Sequence, residues 1–453
     1  MKRISISAML VFLVLLGIHA CSTTKPEGVD TDPAVRAQKA PAKSYEDRTD
    51  DYARDMLKEG RKIFRYDTFG SEDFWGGKLR LHEAIAGEKL GGVGAGVTAR
   101  QALQLGLKVD IAALPKILVE ALKTRSVDLD KVETTLELLR ANSVVGVTGF
   151  FDANKKMTGI GIQCAFCHST VDDSFTKGIG RRLDGWPNRD LNVGAIVASA
   201  PTVKPFADLL GADEATVRKV LTSWGPGRYD AELNQDGKAL RPDGKPGATL
   251  LPAAFGLAGV NLHTYSGWGS VTYWNAYVAN TQMNGKGTFF DPRMNDPQRF
   301  PLAVKSRSWN KRESPDLVTS KLAALHYYQL SLPAPEPPKD SYDGAAAARG
   351  KTIFEGKAKC ATCHVPPLFT EPGWSMHQAS EIGIDDFQAG RSPDKTFYRT
   401  TPLKGLFTRT KGGFYHDGRF ETLGAVVEHY KRVLNVPLSG TETADLVEYL
   451  KSL

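Results

Sequence analysis

The chain has 453 residues and a formal net charge of +7, the balance of 58 lysines and arginines against 51 aspartates and glutamates. Its 41% of hydrophobic residues is typical of a globular protein with a buried core. The basic residues do not cluster, and no stretch alternates them with aromatic residues, which excludes an extended nucleic-acid-binding surface. The composition therefore predicts a mildly basic, solvated surface and no nucleic acid among the partners.

The N-terminus has the pattern of an export signal. Two basic residues precede the apolar run AMLVFLVLLGI (8–18), which is too short to span a bilayer. The run closes on IHAC, so residues 1–20 are predicted to be a lipoprotein signal peptide and Cys21 the lipidated first residue of the mature chain. Because His19 is atypical of that box, the alternative is an ordinary signal peptide with an incidental cysteine.

Residues 21–50 are polar, rich in proline and charge, and nearly free of large apolar side chains, which is typical of a flexible tether. Either kind of signal predicts export. A lipidated Cys21 predicts a protein anchored to a membrane on its periplasmic or cell-surface side, and Ser22 is compatible with the outer membrane.

From residue 51 onward the chain is patterned mostly for helices. The segments 101–125 and 128–142 both carry apolar residues at helical spacing. The stretch 170–320 is instead rich in glycine, tryptophan and turn signals such as RPDGKPG. The sequence therefore predicts a mainly α protein with substantial loops and a few short strands.

Four of the five cysteines lie in two Cys-x-x-Cys-His motifs, the attachment signature of c-type haem. Two thiols at this spacing add to the two vinyl groups of the porphyrin, and the adjacent imidazole ligates the iron. A disulfide, a thioredoxin-like dithiol or a zinc site would leave the following histidine unexplained in both motifs. The predicted attachment cysteines and proximal ligands of the two haems are Cys164, Cys167 and His168, then Cys360, Cys363 and His364.

Two further features follow the first motif. The aromatic segment 261–290 contains Trp268, Trp274 and Phe290, which are candidates for a distal pocket or for a bridge between the haems, although such side chains are more often plain core. The adjacent carboxylates Asp172 and Asp173 are candidate Ca²⁺ ligands, with a solvated or capping role as the alternative.

The chain divides at a proline-rich linker, residues 333–340. The two halves open alike, with EGRKIF (59–64) and RGKTIF (349–354), and each ends in a helical pattern, which indicates an internal duplication. The prediction is two cytochrome c-like haem domains, 51–332 and 341–453, the first enlarged by long insertions and loops.

The second half carries a family resemblance. The elements VPPLFT, TTPLKGL and FYHDG, within residues 360–430, resemble the second haem domain of the bacterial di-haem cytochrome c peroxidase superfamily. The haem spacing and the aromatic segment also bear a weaker resemblance to the di-haem rubber oxygenases, which are considerably longer.

The resemblance implies ligands for the second iron. In the peroxidases a methionine fourteen residues beyond the histidine of HDG ligates that iron, and in the branch that forms tryptophan tryptophylquinone a tyrosine takes its place. Counting from His416, that position is Tyr430, and His429 is the alternative. Neighbouring residues on a helix point about 100° apart, so only one of the two can face the iron. His416 itself is expected to orient a loop or a propionate.

The resemblance also bears on the first iron. The peroxidases carry a labile histidine soon after the first motif, whereas here no histidine follows His168 until His263. This implies an open or weakly held sixth position at which peroxide or oxygen binds. The predicted protein is a peroxidase-like oxidoreductase with a reactive first haem and an electron-transferring second haem, served by a small cytochrome or cupredoxin. The alternatives are a non-catalytic electron-transfer cytochrome and an oxygenase acting on an unsaturated apolar substrate.

Overall fold

The computed structural model describes residues 43–124, 126–394 and 397–453. The predicted signal peptide, Cys21 and the tether up to residue 42 lie outside these ranges. Contacts divide the chain into two units, Met1–Thr49 and Asp50–Leu453, and both Cys-x-x-Cys-His motifs belong to the second unit. No helix in the described part of the chain is long and apolar enough to cross a membrane.

The fold is largely helical, as the sequence predicts. The α-helices are α1 Tyr45–Tyr66, α2 Leu81–Ala86, α3 Ala99–Gln104, α4 Lys116–Lys123, α5 Val132–Arg140, α6 Ala165–His168, α7 Val193–Ala198, α8 Lys204–Leu210, α9 Glu214–Ser223, α10 Leu233–Asp236, α11 Val271–Tyr277, α12 Pro301–Ser306, α13 Leu322–Ser331, α14 Gly344–Glu355, α15 Leu423–Val433 and α16 Gly440–Lys451. Short 3₁₀ and π turns link several of them, including a 3₁₀ turn at Cys360–Thr362 and a π turn at Val278–Gln282.

The strands form only two-stranded sheets in the described residues. One pair is parallel, β1 Val109–Asp110 with β5 Ile179–Gly180. The antiparallel pairs are β2 Val147–Phe151 with β3 Met157–Ile162, β4 Ser169–Val171 with β6 Arg182–Asp184, β7 Arg228–Tyr229 with β8 Thr249–Leu250, β9 Thr288–Phe290 with β10 Asn310–Arg312, and β11 His377–Gln378 with β12 Phe397–Tyr398. These ribbons sit among helices and loops, so helix packing and not a large sheet builds the cores.

Helix α1 begins at Tyr45, inside the segment 21–50 for which a tether is predicted. Glu46 and Asp47 lie in its first turn, where carboxylates interact favourably with the helix dipole. The start of the helix is therefore set by local charge as well as by the apolar face that begins further along the chain.

The pattern at 101–125 does not form one helix. Gly106 takes a positive φ of 85° just after α3, and Pro115 is the N-cap of α4, so strand β1 and a 3₁₀ turn separate the two helices. The second predicted segment, 128–142, contains the single helix α5.

Three hydrophobic cores surround the motifs. The largest extends from Trp75 to Leu251 and receives Cys167 at its edge. A second joins α1, the first motif and α13 through Phe64, Ala165 and Tyr328. The third lies wholly within the second half, between Ile353 and Leu453. Each motif therefore lies beside a core that contains residues of the opening and closing helices of its own half.

The opening and closing helices repeat residue by residue. In the first half a Cβ at Gly60 would lie 1.9 Å from the carbonyl oxygen of Ala324, and in the second half a Cβ at Gly350 would lie 2.0 Å from that of Asp445. Four residues beyond each of these positions, two aromatic pairs stack edge to face: Phe64 with Tyr328 at 5.6 Å, and Phe354 with Tyr449 at 5.2 Å. The same crossing is thus built twice, as an internal duplication requires.

Candidate haem-binding sites

The first motif lies on helix α6 and the residues that flank it. Its cysteines are free thiols and not a disulfide. Burial lowers the pKa of His168, and the Nδ1 atom of His168 lies 3.1 Å from the carbonyl oxygen of Pro252. Because a carbonyl can only accept, Nδ1 carries the proton and the ring is neutral. The nitrogen left with a lone pair for a metal ion is therefore Nε2.

The second motif has the same arrangement. The Nδ1 atom of His364 lies 3.1 Å from the carbonyl oxygen of Phe369, and burial lowers the pKa of His364 to about 4. The thiols of Cys360 and Cys363 are likewise free. A carbonyl partner on the second ring nitrogen is the usual companion of a metal-ligating histidine, because it fixes both tautomer and ring direction. Both motifs meet this requirement through unrelated carbonyls.

Asp184 anchors the chain that leaves the first motif. Its carboxylate accepts hydrogen bonds from Arg65 of α1 at 2.5 Å, from the Tyr328 hydroxyl of α13 at 2.6 Å and from the Ser169 hydroxyl at 2.8 Å. Ser169 directly follows His168, so the opening helix, the closing helix and the proximal ligand share one buried carboxylate.

The next residues run alongside the first motif and reach the second half. The amide of Gly185 donates to the carbonyl of His168 at 2.8 Å, and that of Asn188 donates to the carbonyl of Cys167 at 2.9 Å. Between them, Trp186 packs edge to face on Phe407 of the second half at 5.5 Å. No sequence motif points to Trp186, since its position depends on these backbone bonds.

A cavity of about 260 Å³ surrounds the second motif and is lined mostly by residues of the second half. The residues of the second motif line it together with Tyr430, and most of the remaining lining is apolar, including Leu403, Leu406, Val427 and Leu446. His429 is directed elsewhere: its Nε2 donates to the carbonyl of Ile382 at 2.9 Å, and His429 is not among the lining residues. Of the two candidates for the sixth ligand, the described residues therefore place Tyr430 on the cavity.

Three arginines from distant segments also line this cavity, of which Arg189 and Arg409 are buried and Arg399 is partly buried. None of them is paired with a carboxylate in the described chain, and each has a buried guanidinium nitrogen without a hydrogen-bond partner. Burial lowers the pKa of Arg399 and of Arg409 to about 10.

Unpaired buried cations are costly, so this arginine cluster calls for an anion. The two propionates of a haem supply two carboxylates beside an apolar macrocycle. The thiols, the histidine, the apolar walls and the arginine cluster of the second half therefore fit a covalently attached haem.

The other predicted residues fall in separate places. His416 lines the cavity, stacks on Tyr398 at 5.2 Å and is buried, which lowers the pKa of His416 to about 4. Trp268 and Trp274 pack together at 4.7 Å in a buried aromatic core. Phe290 is 52% exposed and packs against Trp309 at 5.9 Å, so it does not join the two tryptophans.

The carboxylates proposed for Ca²⁺ are engaged within their own loop. Asp172 accepts from the amides of Ser174 and Arg181 and pairs with the Arg181 guanidinium at 3.1 Å. Asp173 accepts from the amide of Gly178 at 2.8 Å. These bonds correspond to the capping alternative that the sequence analysis left open.

A buried charge cluster joins the two halves. Arg391 is fully buried and pairs with Asp230 at 2.8 Å and with Asp236 at 2.7 Å. Glu232 is buried in the same cluster, and burial raises the pKa of Glu232 to about 7. One arginine faces three carboxylates, and burial favours the protonated form of Glu232.

No family model matches this chain. The methylamine utilization protein MauG of Methylorubrum extorquens is 33% identical to it over 155 residues, which are 29% of this chain and 43% of MauG. The chain thus matches less than half the length of that relative. The match supports the resemblance to the di-haem cytochrome c peroxidase superfamily.

Several solved structures are similar over about half of the chain. Hydrazine synthase of Kuenenia stuttgartiensis has a TM-score of 0.30 and 19% identity, over 47% of this chain and 75% of its own. A MauG-like protein associated with microbial copper homeostasis has a TM-score of 0.27 and 18% identity, over 51% of this chain and 78% of its own. A variant of the diheme peroxidase BthA from Burkholderia thailandensis has a TM-score of 0.29 and 16% identity, over 50% of this chain and 77% of its own.

Proposed function

We propose that the chain is an exported di-haem c-type cytochrome with peroxidase-like oxidoreductase activity. The observation that carries this proposal is the repeated geometry of the two motifs, in which a backbone carbonyl holds Nδ1 of His168 and of His364 and leaves Nε2 for iron. A structural role for two Cys-x-x-Cys-His motifs would not require the same neutral tautomer in both. In this proposal 51–332 and 341–453 are the two haem domains.

The residues of each site have distinct tasks. Cys164 and Cys167 attach one haem, and Cys360 and Cys363 attach the other; when bound, the haems supply a redox-active iron. The proximal histidines orient that iron through their fixed rings. Around the second motif the arginine cluster would receive the propionates, and the apolar wall would exclude water from the macrocycle.

The two sites are proposed to differ in their sixth ligand. Tyr430 lines the second cavity, and a phenolate is a hard anionic donor that favours ferric over ferrous iron. The first site has no comparable motif-based candidate, which supports an open position for peroxide or oxygen. We therefore assign the reactive role to the first haem and electron transfer to the second.

The proposed location and partners rest on the sequence alone. A lipid on Cys21 would anchor the protein to a membrane on its periplasmic or cell-surface side. A small cytochrome or cupredoxin is the proposed electron partner, and peroxide or oxygen the small-molecule reactant. Ca²⁺ stays a candidate cofactor without support from Asp172 and Asp173, whose oxygens are engaged by their own loop.

The test is an electron paramagnetic resonance spectrum of the oxidised holoprotein. We expect one high-spin and one low-spin ferric signal, and a change of the low-spin signal alone in Tyr430→Phe. Tyr449→Phe is the matched control, because Tyr449 is a buried phenol of the same half that is not among the cavity-lining residues. Two low-spin signals that do not respond to peroxide would identify an electron carrier and contradict the proposal. A stable dioxygen adduct would instead favour the oxygenase alternative.

A further inference from the structure

Tyr415 holds a backbone conformation that tyrosine rarely adopts. Its φ is +68°, in the left-handed region where a side chain with a Cβ is strained. The chain on either side fixes this conformation: the amide of Phe414 donates to the carbonyl of Phe420 at 2.8 Å, and the amide of Leu250 donates to the carbonyl of His416 at 2.7 Å. Strain of this kind persists only where the surrounding structure enforces it, and it is concentrated at functional sites.

The strained backbone places the Tyr415 ring on the cavity of the second half, beside Tyr430. The two ring centroids lie 6.2 Å apart, and Phe420 packs edge to face on Tyr415 at 4.9 Å. The Tyr415 hydroxyl is buried and has no hydrogen-bond partner of good geometry among the described residues. A phenolic hydroxyl is a hydrogen-bond donor as well as an acceptor.

A buried hydroxyl without an acceptor costs free energy unless something completes it. The oxygen of Tyr430, on the same cavity, lies close enough to the Tyr415 hydroxyl to interact with it. As a ligand of iron, that oxygen would be anionic and a strong acceptor, and a hydrogen bond to an anion is about twice as strong as a neutral one.

We propose that Tyr415 is a positioning residue that donates a hydrogen bond to the Tyr430 oxygen and so tunes the second haem. This inference rests on the proposed ligation of iron by Tyr430. The bond withdraws electron density from the phenolate, which weakens its preference for ferric iron and raises the midpoint potential of that haem. It also holds the Tyr430 ring in one direction, so that the sixth ligand does not exchange.

The test compares Tyr415→Phe with the wild-type holoprotein, using the low-spin resonance and the midpoint potential of the second haem. The Phe variant keeps the ring and loses the donor. We expect a shifted low-spin signal, an unchanged high-spin signal, and about a tenfold fall in the ratio of ferrous to ferric haem at fixed potential, which is 59 mV for one electron. Tyr449→Phe, the same deletion away from the cavity, should change neither.

Tyr415→Asn is the second variant, because asparagine tolerates the left-handed region and carries no phenol. It should shift the resonance and the potential in the same direction as Tyr415→Phe. If both Tyr415 variants match the wild type while Tyr430→Phe changes the low-spin signal, the role of Tyr415 is refuted and the proposed function stands. If Tyr430→Phe also matches the wild type, the ligation by Tyr430 is refuted and this inference falls with it.

Discussion

Replacing Gly350 by alanine tests the helix crossing on which the core of the second half is built. The new Cβ would lie 2.0 Å from the carbonyl oxygen of Asp445 and 2.8 Å from the Cβ of Tyr449. Real Cβ atoms do not approach other atoms closer than 3.0 Å, so α14 and α16 have to separate by about an ångström. That separation loosens the contact between Phe354 and Tyr449 next to the second motif.

The expected cost follows from two opposing effects. Alanine gains about 1 kcal/mol over glycine in a helix interior. Forcing an extra methyl group into a packed contact costs roughly 1–3 kcal/mol, and more when backbone atoms have to move. Because the nearest atom here is a backbone oxygen, we expect Gly350→Ala to lower the free energy of unfolding by about 2 kcal/mol. Gly60→Ala, which meets the oxygen of Ala324 at 1.9 Å, should behave alike.

The assay is urea unfolding of the purified holoprotein, followed by circular dichroism. Gly344→Ala is the matched control on the same helix, since a Cβ there meets no atom within 4 Å. It should be neutral or slightly stabilising. Equal stability of Gly350→Ala and Gly344→Ala would refute the close crossing, and with it the structural case for the duplication.

Two other predictions concern buried charge. Burial raises the pKa of Glu232 from an ordinary 4.5 to about 7. Between these two pH values the folded protein binds a proton that the unfolded chain releases. The free energy of unfolding should therefore fall as the pH rises from 4.5 to about 7, by up to roughly 1.4 kcal/mol per pH unit. Glu232→Gln should remove this slope in urea titrations, and an unchanged slope would contradict the assignment. Arg409→Gln should lower the midpoint potential of the second haem by about 40 mV, because it removes a buried positive charge. This shift corresponds to an interaction on the order of 1 kcal/mol for one electron. Spectroelectrochemistry measures this potential, and Arg349→Gln, at an exposed arginine, is the control. Equal shifts in both variants would show that the arginine cluster has no specific effect on the haem potential.

The features that could be predicted from the sequence are those that depend on residues close together along the chain. A Cys-x-x-Cys-His motif contains, within five residues, the side chains on which the haem prediction rests. The pattern Gly-x-x-x-Phe, repeated at 60–64 and 350–354, lies at the equivalent helix crossing in each half. The mainly α character was also predictable, because apolar spacing in α5 and α16 follows the helical period.

The missing features depend on contacts between distant segments. The segment 101–125 looked like one helix because its apolar spacing outweighed Gly106 and Pro115, which in the fold end one helix and begin another. Spacing alone could not show that Tyr430 lines the cavity and His429 does not, since this depends on the hydrogen bond from His429 to the carbonyl of Ile382.

The arginine cluster shows the same limit, because its members come from residues 189, 399 and 409. Their lack of carboxylate partners is visible only once the side chains are placed. Tyr415 likewise reads in the sequence as part of FYHDG, and its strained backbone has no local signal such as a glycine.

The unequal spacing of the duplicated helices has a consequence for how the protein is made. In the second half α14, the motif and α16 follow one another within residues 344–451, so their core forms by closing short loops. In the first half α1 and α6 are separated by the insertion and α13 lies far beyond, so the equivalent core requires long-range closure, which is slower. We therefore expect the C-terminal copy to fold first and to present Cys360 and Cys363 for the proposed haem attachment while the N-terminal copy is still assembling, an order opposite to the order of the two copies along the chain.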